Sequence, residues 1–377
     1  YDYLIREGDD WDPMAAKTMW GPVKEKIKTL ELPESDTIKK LDSDSYEVSG
    51  DFTLPSFIEG FDGYDVHFES ESEYLNISEN GEVSVIRPVS DTIPAEITAY
   101  IRRSDNKLIG TSKTINITIT RDPSIDPSVF NAAMQAAKDA IDSNYQEKAE
   151  NGDAVLDRTV VIPEIDSTGD VAVKVWAEYS GFINDDGTII RNPYGESNGI
   201  GNVTYTIQCV KGSTLLKETV SYDVSIPTDK ADILYADFEN KTTKIGGNLT
   251  AIGGGNNSGY AVTNPSETAF NIMPLAGGIV KVSYDVYGNT SGVVTLKDQA
   301  GADYLAIVPE GLESGKWNTV EAVINTTDNT VSVTVNSGTP TETTAQTAIT
   351  ESNRIASISF AEGTYDNIAV AANTDKS

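Results

Sequence analysis

The chain has 377 residues, with 58 acidic against 28 basic side chains and a formal net charge of −30, so nucleic acid and anionic lipid are excluded as expected partners. One cysteine, Cys209, and one histidine, His67, exclude an intramolecular disulfide and zinc sites built from several His or Cys ligands. No apolar run approaches the roughly 20 residues of a membrane span, and no signal-peptide pattern opens the chain, which is expected to be a fragment of a larger secreted protein.

Residues 1–11 read as a polar connector. Asp12-Pro13 pairs an N-cap with proline at the first helical position, and Met14, Ala15, Met19 and Trp20 offer apolar surface. Gly21-Pro22 should break this helix, and Val23, Ile27 and Leu30 carry a second, short one. Strands are expected at Tyr46 to Leu54, Asp65 to Glu69, Gly81 to Ile86, Ala95 to Arg102 and Thr114 to Thr120. Asp126-Pro127 then repeats the helix start, with Val129, Phe130, Ala133, Ala137, Ala140 and Ile141 at helical spacing to about Lys148. A second strand set follows at Ala154 to Ile162, Val171 to Glu178, Gly187 to Arg191, Val203 to Val210 and Glu218 to Ile226. The two sets share more than spacing. Each has a strand ending on apolar-Pro (Leu54-Pro55, Ile162-Pro163), a Gly-to-Arg-Pro stretch (Gly81 to Arg87-Pro88, Gly187 to Arg191-Asn192-Pro193) and a closing hairpin, so the chain contains a repeated β module. The second copy has a longer stretch, Tyr194 to Gly201, before its hairpin.

Short strands with turns every 8 to 12 residues over roughly 80 residues are expected of an immunoglobulin-like sandwich. On the apolar-Pro strand end, the Gly-to-Arg-Pro stretch and the hairpin, residues 40 to 228 resemble, in two copies, the atrophied bacterial immunoglobulin-like domains of secreted Firmicutes glycoside hydrolases and polysaccharide lyases. The resemblance implies spacers.

After a linker at Thr228 to Asp232, the composition shifts to Gly, Asn, Thr and Ser, with a Gly253 to Gly259 loop. Regular alternation follows, with Val280, Val282, Tyr284 and Val286 on one face and Lys281, Ser283, Asp285 and Tyr287 on the other. Residues 233–372 resemble concanavalin-like or laminin-G-like jelly rolls, which include many carbohydrate-binding modules. The residues that carry this are Asp237-Phe238-Glu239, the Ser283 to Tyr287 strand, Gly315-Lys316-Trp317-Asn318 and Tyr365-Asp366-Asn367-Ile368.

No residues are assigned to catalysis. His67 is expected to be an ordinary strand histidine, the C-terminal segment has no strand with two carboxylates on one face, and proton transfer therefore lacks its groups. Sugar binding needs only exposed rings and polar groups for hydroxyls. Tyr287, Tyr304, Trp317 and Tyr365 are the candidates, with Tyr287 the best single one and Trp317 expected mainly to pack under the sheet. The jelly-roll resemblance implies a structural Ca²⁺ held by Glu239 and Asp366; the alternative is that both acids cap turns.

The expectation is a mainly β chain: two immunoglobulin-like β-sandwiches with short helical leaders (1–39 leader, 40–122; 123–152 leader, 153–228), then a jelly-roll β-sandwich at 233–372. It is read as the non-catalytic accessory region of a secreted or cell-surface bacterial carbohydrate-active protein, monomeric, with a polysaccharide or glycan as partner. The rival reading is an adhesin or surface-structural protein that binds a host or matrix protein.

Overall fold

The computed structural model describes residues 23–55, 64–103, 109–167, 169–243, 245–251, 259–265, 269–275, 278–345 and 353–372. The helix expected at Asp12-Pro13, residues 104–108 in the closing hairpin of the first copy and most of the Gly253 to Gly259 loop lie outside the described residues. The fold is mainly β. The chain divides into two compact units, one of the described residues up to Ala140 with Glu164–Val175 and Thr206–Thr219, the other of Ile141–Pro163, Trp176–Tyr205 and Val220 onward.

In the first unit the helical residues 23–28 (α1) bury Val23 and Ile27, and Leu30 follows on the same face. The strands are β1 (Ile38–Lys40), β2 (Ser45–Val48), β3 (Phe52–Thr53), β4 (Tyr64–Glu69), β5 (Leu75–Ile77), β6 (Glu82–Val85), β7 (Arg87–Pro88), β8 (Thr92–Arg103) and β9 (Ile109–Thr120). One sheet runs β1-β2-β9-β8-β4 and a smaller one β3-β6-β5. The period of two is visible in burial: Ile97, Ala99 and Ile101 on β8 and Ile115, Ile117 and Ile119 on β9 enter a core shared with Phe52, Leu75, Val83 and Val85 of the smaller sheet. The strand expected from Tyr46 to Leu54 is two strands, β2 pairing with β1 and β9 and β3 with β6 in the smaller sheet.

The helix α2 (Pro127–Asp142) starts where expected. Asp126 caps it by accepting the Ser128 N–H at 2.9 Å, and Phe130, Ala133, Met134, Ala137 and Ile141 are buried at i, i+3, i+4, i+7 and i+11. It stops short of Lys148, tightening into a 3₁₀ turn at Ser143–Tyr145. That turn carries Tyr145 onto Tyr222, with ring centroids 4.3 Å apart, and within 2.8 Å of the Tyr205 hydroxyl.

The second strand set gives β10 (Ala154–Val155), β11 (Ala172–Gly181), β12 (Gly199–Lys211) and β13 (Thr214–Ile226), in the order β10-β13-β12-β11. That order repeats β2-β9-β8-β4. In both copies the first strand lies parallel to the last. The turns agree too. Ser78 N–H bonds to Glu82 O and Asn184 N–H to Thr188 O, Leu54 N–H bonds to Gly81 O and Val160 N–H to Gly187 O. Gly81 and Gly187 take the positive φ values of +78° and +81° that a side chain resists.

Two expected strands of the second copy are cut short. From Ala154 to Ile162 only Ala154–Val155 pairs, because the Thr159 N–H goes to the Glu239 carboxylate and the Val160 N–H to Gly187, not to a ladder. Gly187 to Arg191 is reduced to a single bridge, Ile183 to Ile189.

The C-terminal segment contributes β14 (Leu234–Ala236), β15 (Asn248–Ala251), β16 (Tyr260–Thr263), β17 (Phe270–Leu275), β18 (Ile279–Tyr287), β19 (Val294–Asp298), β20 (Asp303–Ile307), β21 (Trp317–Asn325), β22 (Thr330–Val335), β23 (Thr341–Thr344), β24 (Ile355–Phe360) and β25 (Thr364–Ala372). One sheet runs β15-β16-β25-β18-β21-β22-β23, with β14 also on β25, and the other runs β17-β24-β19-β20. One apolar core, including Val282, Tyr284, Val320, Leu296, Ile358 and Tyr365, fills the space between them. Among the described residues no helix is long and apolar enough to cross a membrane.

Candidate functional site

On β18 the residues Val280, Val282, Tyr284 and Val286 face the core, and on β21 so do Asn318, Val320, Ala322 and Ile324. The opposite parity sends Tyr287 and Trp317 to the outer face of the larger sheet, where they are direct cross-strand partners. Their ring centroids stand 5.6 Å apart at 71°, forming a corner. Both rings are half-buried and neither belongs to the apolar core. This corrects the expectation that Trp317 packs under the sheet: in Lys316-Trp317-Asn318 the inward residue is Asn318. The indole Nε1 is buried without a hydrogen-bond partner, so the exposed part of Trp317 is hydrocarbon.

Asn318, fully buried, holds the loop beside the rings. Its Oδ1 accepts the Glu313 N–H at 2.8 Å and the Asn336 Nδ2 at 2.8 Å, and its Nδ2 donates to Glu313 O at 3.1 Å and Lys316 O at 3.0 Å. Asn289 fastens the same loop from the end of β18, accepting Ser314 Oγ and the Gly315 N–H. Gly288 must be glycine, since a Cβ there would stand 1.9 Å from Glu313 O. The corner is therefore mounted on a framework of satisfied amides.

Two other candidate rings do not reach a surface. Tyr304 and Tyr365 are 1% and 0% exposed. Tyr365 packs on Phe360 and Tyr284, and burial pushes its phenol up to about 12. Strand-end position alone misjudged both, because at each a register shift turns the side chain inward: β19 and β20 slip between Leu296–Leu305 and Lys297–Asp303, and β18 and β25 between Ser283–Ala369 and Asp285–Asp366.

The candidate metal ligands are also committed elsewhere. Glu239, fully buried, accepts the N–H of Thr159 at 2.5 Å on one oxygen and those of Gly259 and Tyr260 at 2.7 and 3.0 Å on the other. Oxygens surrounded by N–H donors fit Ca²⁺ poorly, and this corrects the expectation of a Glu239–Asp366 site. Asp366 accepts the Asn367 N–H at 2.7 Å and lies opposite Asp285, which accepts the Thr319 hydroxyl at 2.6 Å and the Asn367 amide at 2.8 Å. That cross-strand carboxylate pair was invisible to a search along single strands. Both members are buried. Among the described residues no three His, Cys, Asp or Glu side chains gather around one point suited to a metal.

A cleft of about 370 Å³ is lined by Arg191, Tyr235, Asp237, Asn184, Asn240 and Thr242. Its charges are paired, Arg191 Nε standing 2.6 Å from Asp237 with the guanidinium 5.7 Å from the Tyr235 ring centroid. Its amides are occupied as well, Asn184 by Thr188 and Asn240 by Thr242. The cleft is a structural junction. His67 is an exposed strand histidine 3.0 Å from Glu69, and Cys209 is a buried thiol pushed up to about 11 by burial and by Glu218.

No family model matches the chain, and no curated protein matches it. Among solved structures it is similar to a sialidase, at 11% identity and a TM-score of 0.25, over 86% of this chain and 45% of that one. A human mucin-like protocadherin fragment, EC1-2, is similar at 9% identity and a TM-score of 0.14, over 51% of this chain and 98% of that one. A SusE-like surface located polysaccharide binding protein from the Bacteroides thetaiotaomicron heparin utilisation locus is similar at 12% identity and a TM-score of 0.17, over 83% of this chain and 59% of that one. The chain thus spans less than half of the sialidase. Likenesses at these scores carry no weight for the site, which rests on its own geometry.

Proposed function

We propose that the C-terminal sandwich is a glycan-binding module whose platform is the Tyr287–Trp317 corner, carried by immunoglobulin-like spacers in a non-catalytic accessory region of a secreted or surface-exposed bacterial carbohydrate-active protein. The observation that carries this reading is the pair itself: two aromatic rings, outside the core, set at 71° on the outer face of a sheet. Such a corner offers one ring to the C–H face of a sugar while the other flanks it, and each stacking contact contributes on the order of 1 kcal/mol. A scaffold of bonded amides holds the loop beside the rings, so little freedom is lost when a sugar docks. Thr319, Asn289 and Ser314 lie within the same framework and supply hydroxyl and amide groups of the type that meets sugar hydroxyls.

The test is a screen of the whole chain on a broad glycan array, followed by titration of each hit with wild type, Tyr287→Ala and Trp317→Ala. Binding lost in both variants, with the Tyr287→Ala melting temperature unchanged, is the expected result. Hits that survive both substitutions, or an array without hits, would remove the reading and leave the adhesive one.

A further inference from the structure

The outer face around the corner carries its charge unevenly. One step along from Tyr287 and Trp317 on that face lie Asp285 and Thr319, and the next step brings Ser283 and Glu321; Asp366 lies opposite Asp285 on β25. Of these carboxylates Glu321 is exposed, whereas Asp285 and Asp366 are buried and hydrogen-bonded. The cation at the ring end is Lys316, whose ammonium is 2.6 Å from the Glu313 carboxylate. The pairing shows in both groups, Glu313 holding Lys316 above and Lys316 holding Glu313 below its ordinary range. The next lysine on the β18 outer row is Lys281, six residues from Tyr287, about 20 Å at the rise of a strand. Residues 233–372 as a whole hold 14 acidic and six basic side chains.

A glycan chain lying over the rings and along this row meets the hydroxyls of Thr319 and Ser283 and the carboxylate of Glu321. Those groups accept from or donate to sugar hydroxyls without penalty. A uronate, sialate or sulfate in the same place brings like charge against the exposed Glu321 and close to the buried Asp285, and Lys316, next to Trp317 in the chain, is already paired with Glu313. We infer that the Tyr287–Trp317 site takes neutral glycans and rejects anionic ones. The inference rests on the glycan-binding reading above and adds the class of ligand.

The experiment titrates the whole chain, at low and at physiological ionic strength, with soluble neutral polymers (mixed-linkage β-glucan, xyloglucan, galactomannan) and anionic ones (polygalacturonate, alginate, heparin). Low salt removes screening, so an electrostatic preference shows most clearly there. The expected result is binding of at least one neutral polymer, weakened tenfold or more by Tyr287→Ala and little changed by salt, with no anionic polymer bound. Glu321→Lys should then raise binding of an anionic polymer at low salt, a gain that a misfolded variant does not give. An anionic polymer bound by wild type through Tyr287, more tightly as salt falls, would overturn the inference while keeping the glycan reading. Failure of both classes would overturn the glycan reading itself.

Discussion

Arg87 and Arg191 occupy the same place in the two repeated modules, and their surroundings differ in a way that explains how the modules are used. Arg87 donates from Nε to Thr120 O at 2.9 Å and from Nη2 to Arg121 O, closing the exit of β9. Its acidic partner, Asp122, belongs to that same exit, lies 3.6 Å away and is 32% exposed. Arg191 likewise grips the exit of its module, donating from Nη1 to Pro227 O at 2.9 Å. Its acidic partner, Asp237, comes from the segment that opens the C-terminal sandwich, lies 2.6 Å away and is 10% exposed. The Arg87 side chain therefore clamps its own module, while its backbone pairs with Thr214 of the next one, and the Arg191 side chain makes a buried bridge to the following sandwich. The second module surrenders regular strands to the same purpose: the backbone that would have extended β10 gives its Thr159 N–H to Glu239 of that sandwich.

The largest test of this contrast is Arg191→Ala. It leaves Asp237 buried and unpaired, and removal of one partner of a buried pair costs roughly 3–5 kcal/mol, read as a fall in urea-unfolding free energy of the second unit. Arg87→Ala loses hydrogen bonds from a charged group at a half-open site, with an expected cost of roughly 1.5–3 kcal/mol. Equal losses at the two positions would erase the difference drawn here. The smallest effect separates the two turns. Asp186 is held down to about 2, first by the Thr188 hydroxyl and N–H and then by Lys241, whereas the corresponding residue of the first turn, Asn80, does not titrate. Because the folded value lies below the unfolded 3.8, Asp186 contributes stability that is complete above about pH 4 and is lost as pH falls toward 2. Melting curves of Asp186→Asn between pH 2 and 5 should show a shallower acid decline than wild type. An unchanged slope would mean that the turn carries no such linkage.

Much of this was open to reading along the chain. The doubled glycine turn and arginine motif announced a repeat, and strand order and turn hydrogen bonds agree with it. The facing of Trp317 was also within reach, since Val320, Ala322 and Ile324 fix the parity of β21 and put Asn318, not Trp317, on the inner side. The expectation of a core tryptophan set that parity aside. Tyr304 and Tyr365 failed for a different reason, because each sits beside a shift in strand register that turns it inward against the alternation of its neighbours. Glu239 could not have been read correctly, since its donors lie 80 residues upstream and about 20 downstream. The carboxylate pair Asp285 and Asp366 likewise exists only through the register of β18 with β25.

The way β14 pairs with β25 has a mechanical consequence. The strands are antiparallel, with Leu234 opposite Val370 and Ala236 opposite Ile368, and the Ala372 N–H returns to Asp232. The polypeptide thus enters and leaves the C-terminal sandwich at the same end of one ribbon. Tension drawn through residues 232 and 372 peels that ribbon open, loading its hydrogen bonds one after another. In the preceding module β10 lies parallel to β13, so a pull through its two ends slides one strand along the other and loads their bonds together. Pulling the chain by its two ends is therefore expected to open β14 from β25 at lower force than it parts β10 from β13.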